Sequence, residues 1–214
     1  MNRDLSEIRR TYNWGELSEE EMKKTPMEQF DNWYHEVLKS DSLEPTAMML
    51  ATVGSDGMPH CRVVLLKKYN EKGFVFYTNY NSRKARDLEA NPKVGITFYW
   101  PEMERQVRVE GRVERVSEKE SDDYFASRPI DSQLGAWASP QSQTVNSRDE
   151  LEDGYEEIKA RFESEELKRP EFWGGYRVVP CRVEFWQGRP NRLHDRLVYQ
   201  QFNENHWRIN RLAP

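Results

Sequence analysis

The sequence predicts an α+β domain built around a small antiparallel β-barrel. Three observations predict it: short β-rich runs fill residues 46 to 116, strand character returns near the C-terminus, and helical patterns lie between the two groups. A chain of 214 residues suits one sizeable core, so a single domain spanning 1–214 is expected.

The elements follow in order. Thr25-Pro26-Met27-Glu28 combines an N-cap hydroxyl, a proline at the first helical position and a glutamate three residues after the cap, so a helix begins there. Met27, Phe30, Trp33, Tyr34, Val37 and Leu38 keep the 3,4 spacing of one buried face, and Pro45 lies beyond its end. The β-rich runs come next: Thr46 to Val53, Cys61 to Lys67, Phe74 to Thr78, Val94 to Trp100 and Gln106 to Val116. Gly54-Ser55-Asp56-Gly57 and Asn70-Glu71-Lys72-Gly73 are hairpin-type turns, which makes the runs they join antiparallel neighbours. Between the third and fourth runs, Ser82 caps a short helix through Ala90 that ends before Pro92. A meander with a crossover helix is the pattern of a barrel.

Ser117-Glu118-Lys119-Glu120 heads another helix, which Pro129 stops near Arg128. Ser147-Arg148-Asp149-Glu150 heads a third, with Leu151, Tyr155, Ile158 and Phe162 on one side. Ten acids against four bases between Asp149 and Glu171 mark it as a solvated helix. Tyr176 to Trp186, Leu193 to Phe202 and Trp207 to Leu212 read as strands, and Pro180 argues for an edge position or a bulge.

Composition excludes several functions. The 37 acids and 32 bases give a net charge of -5, which argues against a protein that coats nucleic acid or an anionic membrane. Mean hydropathy is -0.98, yet seven Trp, ten Tyr and nine Phe supply the apolar surface that a disordered chain lacks. Such modest hydrophobic content is consistent with a core completed by a second copy of the chain. Cys61 and Cys181 lie outside any zinc or C-x-x-C spacing, so neither a disulfide framework nor a metal site is indicated. The first residues lack an apolar signal region, and no stretch approaches the roughly 20 apolar residues of a membrane span. A reduced, cytoplasmic location is the expectation.

Three clusters carry candidate chemistry. Arg62 to Arg86 holds seven bases and one acid, and Ser82-Arg83-Lys84 opens a helix whose free N–H groups, hydroxyl and cations suit a phosphate. Strict alternation puts Arg62 and Lys67 on opposite strand faces, so a long ligand or a twist at the strand end is needed to engage both. Tyr124 and Arg128 share a helix face, and the turn at Pro129 lets Ser132 fold back toward them; phenol, guanidinium and hydroxyl together suit a phosphate monoester. If residues 192 to 196 form a strand, Arg192, His194 and Arg196 point one way, giving an anion-facing surface. No nucleophile elbow, P-loop, G-x-G-x-x-G or paired metal-ligand motif occurs, so a cofactor is the natural source of any chemistry.

These residues resemble the pyridoxamine 5'-phosphate oxidases. Val183-Glu184-Phe185-Trp186-Gln187-Gly188, then a three-residue spacer and Arg192-Leu193-His194-Asp195-Arg196, is similar to the C-terminal signature of that family at full length and spacing. Arg62-Val63-Val64-Leu65-Leu66-Lys67, Tyr77-Thr78, Ser82-Arg83-Lys84, Ser127-Arg128-Pro129, Ser132 to Ser139, Gln141-Ser142 and the terminal Arg211-Leu212-Ala213-Pro214 resemble its other motifs. The resemblance runs from Arg9 to Pro214, with no departure at a position that the family uses for cofactor or substrate.

It implies an FMN-binding split β-barrel, antiparallel and Greek-key-like, with peripheral helices, forming a homodimer with FMN at the subunit interface. By resemblance Arg62, Val63, Val64, Leu65, Leu66 and Lys67 line the cofactor, together with Tyr77, Thr78, Arg83 and Lys84, then Gln106, Gln141, Ser142, Trp186 and Arg196. Lys67, Tyr124, Arg128 and Ser132 would hold the substrate phosphate. Arg192, Leu193 and His194 would lie over the substrate ring, with Arg192 and His194 as the catalytic pair. Arg9, Arg10, Thr11 and Tyr12 match a substrate-binding segment within a mobile stretch 1–20 that the family closes as a lid. The implied reaction is oxidation of pyridoxamine 5'-phosphate or pyridoxine 5'-phosphate by oxygen to pyridoxal 5'-phosphate, releasing hydrogen peroxide, and ammonia from the amine. Two other readings compete: a split-barrel flavin reductase, which does not need Tyr124, Arg128, Ser132 and Arg192 together, and a non-catalytic carrier of FMN or pyridoxal phosphate.

Overall fold

Helices start where the sequence supplies a capping oxygen. In the computed structural model, which describes residues 1, 3–203 and 206–214, Thr25 Oγ1 accepts from the Glu28 amide and Glu28 Oε2 accepts from the Thr25 amide, both at 3.2 Å. That reciprocal pair opens α1 (Pro26–Val37). Ser82 caps α2 (Arg83–Ala90), Ser117 caps α3 (Glu118–Ser127) and Ser147 caps α5 (Arg148–Arg161), each hydroxyl accepting from the amide three residues on. One further helix, α4 (Ile130–Ala138), starts after Pro129 without a side-chain cap, and it has no counterpart in the sequence reading. Pro129 is the reason: it ends α3 at Arg128 and at once serves the next helix as its N-cap.

Nine strands form among the described residues: β1 (Ala47–Val53), β2 (Pro59–Leu65), β3 (Lys68–Asn70), β4 (Gly73–Asn79), β5 (Lys93–Trp100), β6 (Arg105–Arg115), β7 (Trp173–Gln187), β8 (Asp195–Asn203) and β9 (His206–Arg211). They pair in the order β2-β1-β5-β6-β7-β4-β3, with β8 on β7 and β9 on β8. The ladders β3/β4, β4/β7, β7/β8 and β8/β9 are antiparallel.

β7 changes partner along its length. Residues 173–178 pair with β4, from Asn79↔Trp173 to Phe74↔Val178, and residues 182–187 pair with β8, from Arg182↔Gln200 to Gln187↔Asp195. Pro180 sits between the two registers. The expected edge position is corrected: β7 is an interior strand, and the proline falls where neither ladder asks it for an N–H.

The chain forms two compact units. The first comprises Met1–Met49, Ile96–Glu110 and Pro180–Pro214, and the second Leu50–Gly95 and Gly111–Val179. In the first, α1 buries Phe30, Trp33 and Val37; Phe30 meets Phe98 at 5.0 Å and Trp33 meets Phe185 edge-on at 5.1 Å. In the second, Phe74, Phe76, Ala85, Phe125 and Val178 are all buried. At about 25 cal/mol per Å² of apolar surface, each such aromatic contributes on the order of 2 kcal/mol.

Candidate active site

The second unit holds a cleft of about 580 Å³, and most of the residues of two sequence clusters meet in it. β2 contributes Arg62, Val63, Val64 and Leu65, β4 contributes Tyr77 and Thr78, and α2 contributes Lys84. Tyr124 on α3, Arg128 at its end, Ser132 on α4 and Gln141 complete the wall. Arg62 and Lys67 line it together despite their sequence parity. β2 ends at Leu65, and Lys67 lies in the two-residue step before β3, with its amide on Val75 O at 2.9 Å, so strand alternation does not reach it.

Three cations of this cleft are half-buried, and among the described residues none has a carboxylate closer than 3.7 Å. Lys84 Nζ donates to Thr78 Oγ1 at 3.1 Å, Gln141 Oε1 at 3.3 Å and Ser82 Oγ at 3.5 Å, all neutral acceptors. Burial, helped by the Arg62 charge, pulls its ammonium down to about 8. Arg62 donates to Thr52 Oγ1 at 2.7 Å and Leu50 O at 3.3 Å, with Asp87 at 3.7 Å; burial lowers it, and Asp87 opposes that shift. Arg128 lies over the Trp173 ring at 4.7 Å, its Nη1 is buried with no hydrogen-bond partner, and burial lowers its affinity for the proton. An orphaned guanidinium N–H beside an open cleft asks for an acceptor from outside the protein.

The other wall is aromatic. Tyr77 stacks on Tyr124 with centroids 3.9 Å apart and on Trp173 at 5.5 Å. Burial, then the Glu120 charge, raises the Tyr77 phenol to about 12, so it remains a neutral donor. Gly175 permits the stack: a Cβ there would lie 2.8 Å from Tyr77 Cε1 and 2.6 Å from Val116 Cγ2. Trp173 escaped the sequence reading, although the bulky residue before two glycines in Trp173-Gly174-Gly175 is a signal of close backbone approach.

The first unit gathers a separate set. The Trp186 and His194 rings are 4.7 Å apart, and Tyr12 packs edge-on against both, at 5.7 and 5.6 Å. His194 Nδ1 accepts from the Arg189 amide at 3.1 Å, which leaves the ring proton on Nε2; burial, then Arg192, lowers its proton affinity. Tyr12 is held through its neighbours. Buried Glu104 accepts from the Asn13 amide at 2.7 Å, the Trp14 amide at 2.9 Å and Arg10 Nη2 at 3.2 Å. Gly188 leaves the room: a Cβ there would lie 2.8 Å from Tyr12 Cγ.

Other expected site residues stand apart from these contacts. Leu66 is buried in the core, and exposed Arg83 points its Nη2 at His60 Nε2. Ser142 is exposed in a turn at φ +69°, Gln106 lies half-buried on β6, and Arg9 and Thr11 are exposed. Asn2, in the stretch 1–20, lies outside the described residues. Arg192 and Leu193 do not extend β8, which corrects the expected strand through 192–196. Asn191 and Arg192 adopt φ +57° and +61° after Pro190, and β8 starts only at Asp195. Arg196 instead donates to Glu184 Oε1 at 2.8 Å and to Ala213 O at 2.8 Å. Among the described residues no group of three or more His, Cys, Asp or Glu could hold a metal ion, and no helix is long and apolar enough to cross a membrane.

Known proteins carry the same arrangement of sequence. Residues 34–162 match the family model for pyridoxamine 5'-phosphate oxidase, and residues 173–214 match that for the pyridoxine 5'-phosphate oxidase C-terminal dimerisation region. The pyridoxine/pyridoxamine 5'-phosphate oxidase of Rubrobacter xylanophilus is 56% identical over 212 residues, covering 99% of this chain and 97% of that protein. Its namesake from Trichormus variabilis is 50% identical over the full length of both. Among solved structures, PhzG from Burkholderia lata in complex with tetrahydrophenazine-1-carboxylic acid superposes with a TM-score of 0.85 at 30% identity, over 91% of this chain and 95% of that one. An FMN-binding, pyridoxamine 5'-phosphate oxidase-related protein of Nostoc punctiforme shares the fold, with a TM-score of 0.71 at 17% identity over 89% of this chain and 98% of that one. With its split-barrel sheet, its cation-lined cleft and identity to such relatives from end to end, the chain belongs to the pyridoxamine 5'-phosphate oxidase family.

Proposed function

We propose that this protein oxidises pyridoxamine 5'-phosphate or pyridoxine 5'-phosphate to pyridoxal 5'-phosphate in the cytoplasm, with FMN as cofactor and oxygen as electron acceptor. The whole chain, 1–214, works as one FMN-binding domain, and two copies form a homodimer with FMN at the subunit interface. The observation that carries this reading is the set of half-buried cations in an aromatic-walled cleft, with Lys84 held only by neutral acceptors and Arg128 Nη1 unpartnered. The match of residues 173–214 to a dimerisation region supports the dimer.

The residues fit the cofactor. A phosphate-bearing aromatic offers Lys84 and Arg62 the negative charge that their neutral acceptors do not, and Tyr77, Thr78 and Gln141 add neutral polar contacts. Arg83, Gln106, Ser142, Trp186 and Arg196 complete its binding set. FMN, when bound, supplies the hydride acceptor for oxidation at the substrate C4'. The chain binds, orients and shields. The unpartnered Arg128 Nη1, with Lys67, Tyr124 and Ser132, takes the substrate phosphate. His194 presents its Nε2 proton to the substrate, and Arg192 orients the group at C4'. Tyr12, with Arg9, Arg10 and Thr11, closes over the substrate and excludes water.

The purified protein is expected to be yellow, with flavin absorption, and to consume oxygen when given pyridoxamine 5'-phosphate. A colourless protein that cannot be reconstituted with FMN would sink the proposal. Flavin binding without oxygen uptake would leave a carrier.

A further inference from the structure

Beside the cation-rich start of α2 lie a buried carboxylate of that helix and an imidazole of β2 that the reaction does not use. Asp87 is 6% exposed and lies on α2; its Oδ2 accepts from Thr52 Oγ1 at 2.7 Å and from His60 Nδ1 at 2.9 Å. The opposite ring nitrogen, His60 Nε2, faces Arg83 Nη2 at 2.6 Å. A guanidinium only donates, so Nε2 is the acceptor and the ring proton sits on Nδ1, directed at Asp87. Carboxylate, imidazole and guanidinium form one directional chain.

We propose that Asp87 and His60 are positioning residues that aim Arg83, and with it Arg62, at the phosphate of the cofactor; the inference rests on the FMN reading above. The interposed imidazole decides the electrostatics. A carboxylate paired directly with Arg83 would fix it and neutralise it, whereas a neutral ring fixes it and leaves its charge free for an anion. Among the described residues Arg83 pairs with no carboxylate, and Arg62 stands 3.7 Å from Asp87, with its short contact to Thr52 instead. Gly54 makes room for the chain, since a Cβ there would lie 3.1 Å from His60 Cε1 and 3.3 Å from Asp87 Oδ1.

The test separates phosphate from ring. Full-length protein is titrated with FMN and, in parallel, with riboflavin, which lacks the phosphate, following flavin fluorescence. At pH 7.5, His60→Ala should weaken FMN binding about tenfold and leave riboflavin unchanged. Arg83→Ala should do the same, and the double variant should lose no more than either single one. His60→Gln, which keeps a polar side chain able to donate and accept, should recover part of the FMN affinity that His60→Ala loses. Equal losses for FMN and riboflavin, additive losses, or no recovery in His60→Gln would overturn the inference while leaving the FMN reading intact. A wild type that binds no FMN overturns both.

Discussion

Lys84 shows what a single residue must do before the cleft can hold an anion. Burial and the neighbouring Arg62 favour its neutral form and bring it to about 8, below the ordinary ammonium value of 10.5. An arriving phosphate favours the charged form, so binding above that value must take up a proton. FMN affinity should therefore fall as pH rises from 7.5 to 9.5, a range in which the second phosphate ionisation, near 6, is already complete. Lys84→Arg, charged throughout, should flatten that slope in the same fluorescence titration. Arg128 gives a second prediction. Arg128→Ala removes a forked contact to the substrate phosphate, so KM for pyridoxamine 5'-phosphate should rise by about a hundredfold while flavin binding stays unchanged. An unaltered KM would remove Arg128 from the phosphate site.

At the scale of elements, the buried Glu104 carboxylate, and not a strand, gathers residues 10–14. Glu104→Ala strips the acceptor from the Asn13 and Trp14 amides and from Arg10. Those two amides should then exchange hydrogen faster, while amides of β7 keep their protection. Gly175→Ala should destabilise the protein by about 1–3 kcal/mol in denaturant melts, because its methyl group meets Tyr77 and Val116. Elements of this kind differ in how far they can be read from sequence. The four capped helices were legible because Thr25, Ser82, Ser117 and Ser147 each act within three residues of themselves. The uncapped α4 was not, and neither was the turn at Asn191-Arg192, where the conformation follows from context rather than from a glycine. The clusters at Arg62 to Lys84 and Tyr124 to Ser132 were each visible, but the cleft that unites them depends on ladder pairing between distant residues. So does the stack of Tyr77 on Trp173, which the β4/β7 register brings together. His60 and Asp87 gave no signal, being 27 residues apart and each an ordinary surface type.

For the whole molecule, the sequence reading tied a low apolar fraction to a second copy of the chain. Met49, Val63, Tyr99 and Leu193 are large apolar side chains left more than half exposed, and residues 173–214 match a dimerisation region. Sedimentation equilibrium should give twice the 25.6 kDa chain mass at micromolar concentration; a monomer would contradict the dimer. The division of β7 at Pro180 reaches beyond the finished structure, into the order in which the chain is made. Everything in the unit formed by 50–95 and 111–179 has left the ribosome once residue 179 emerges, but the other unit joins the first residues of the chain to the last, Pro180–Pro214. Its α1 is synthesised early and must wait for Phe185 before Trp33 finds its aromatic partner. During translation Phe30 can already meet Phe98, but the Trp33 side of the N-terminal helix stays uncovered until Phe185 emerges.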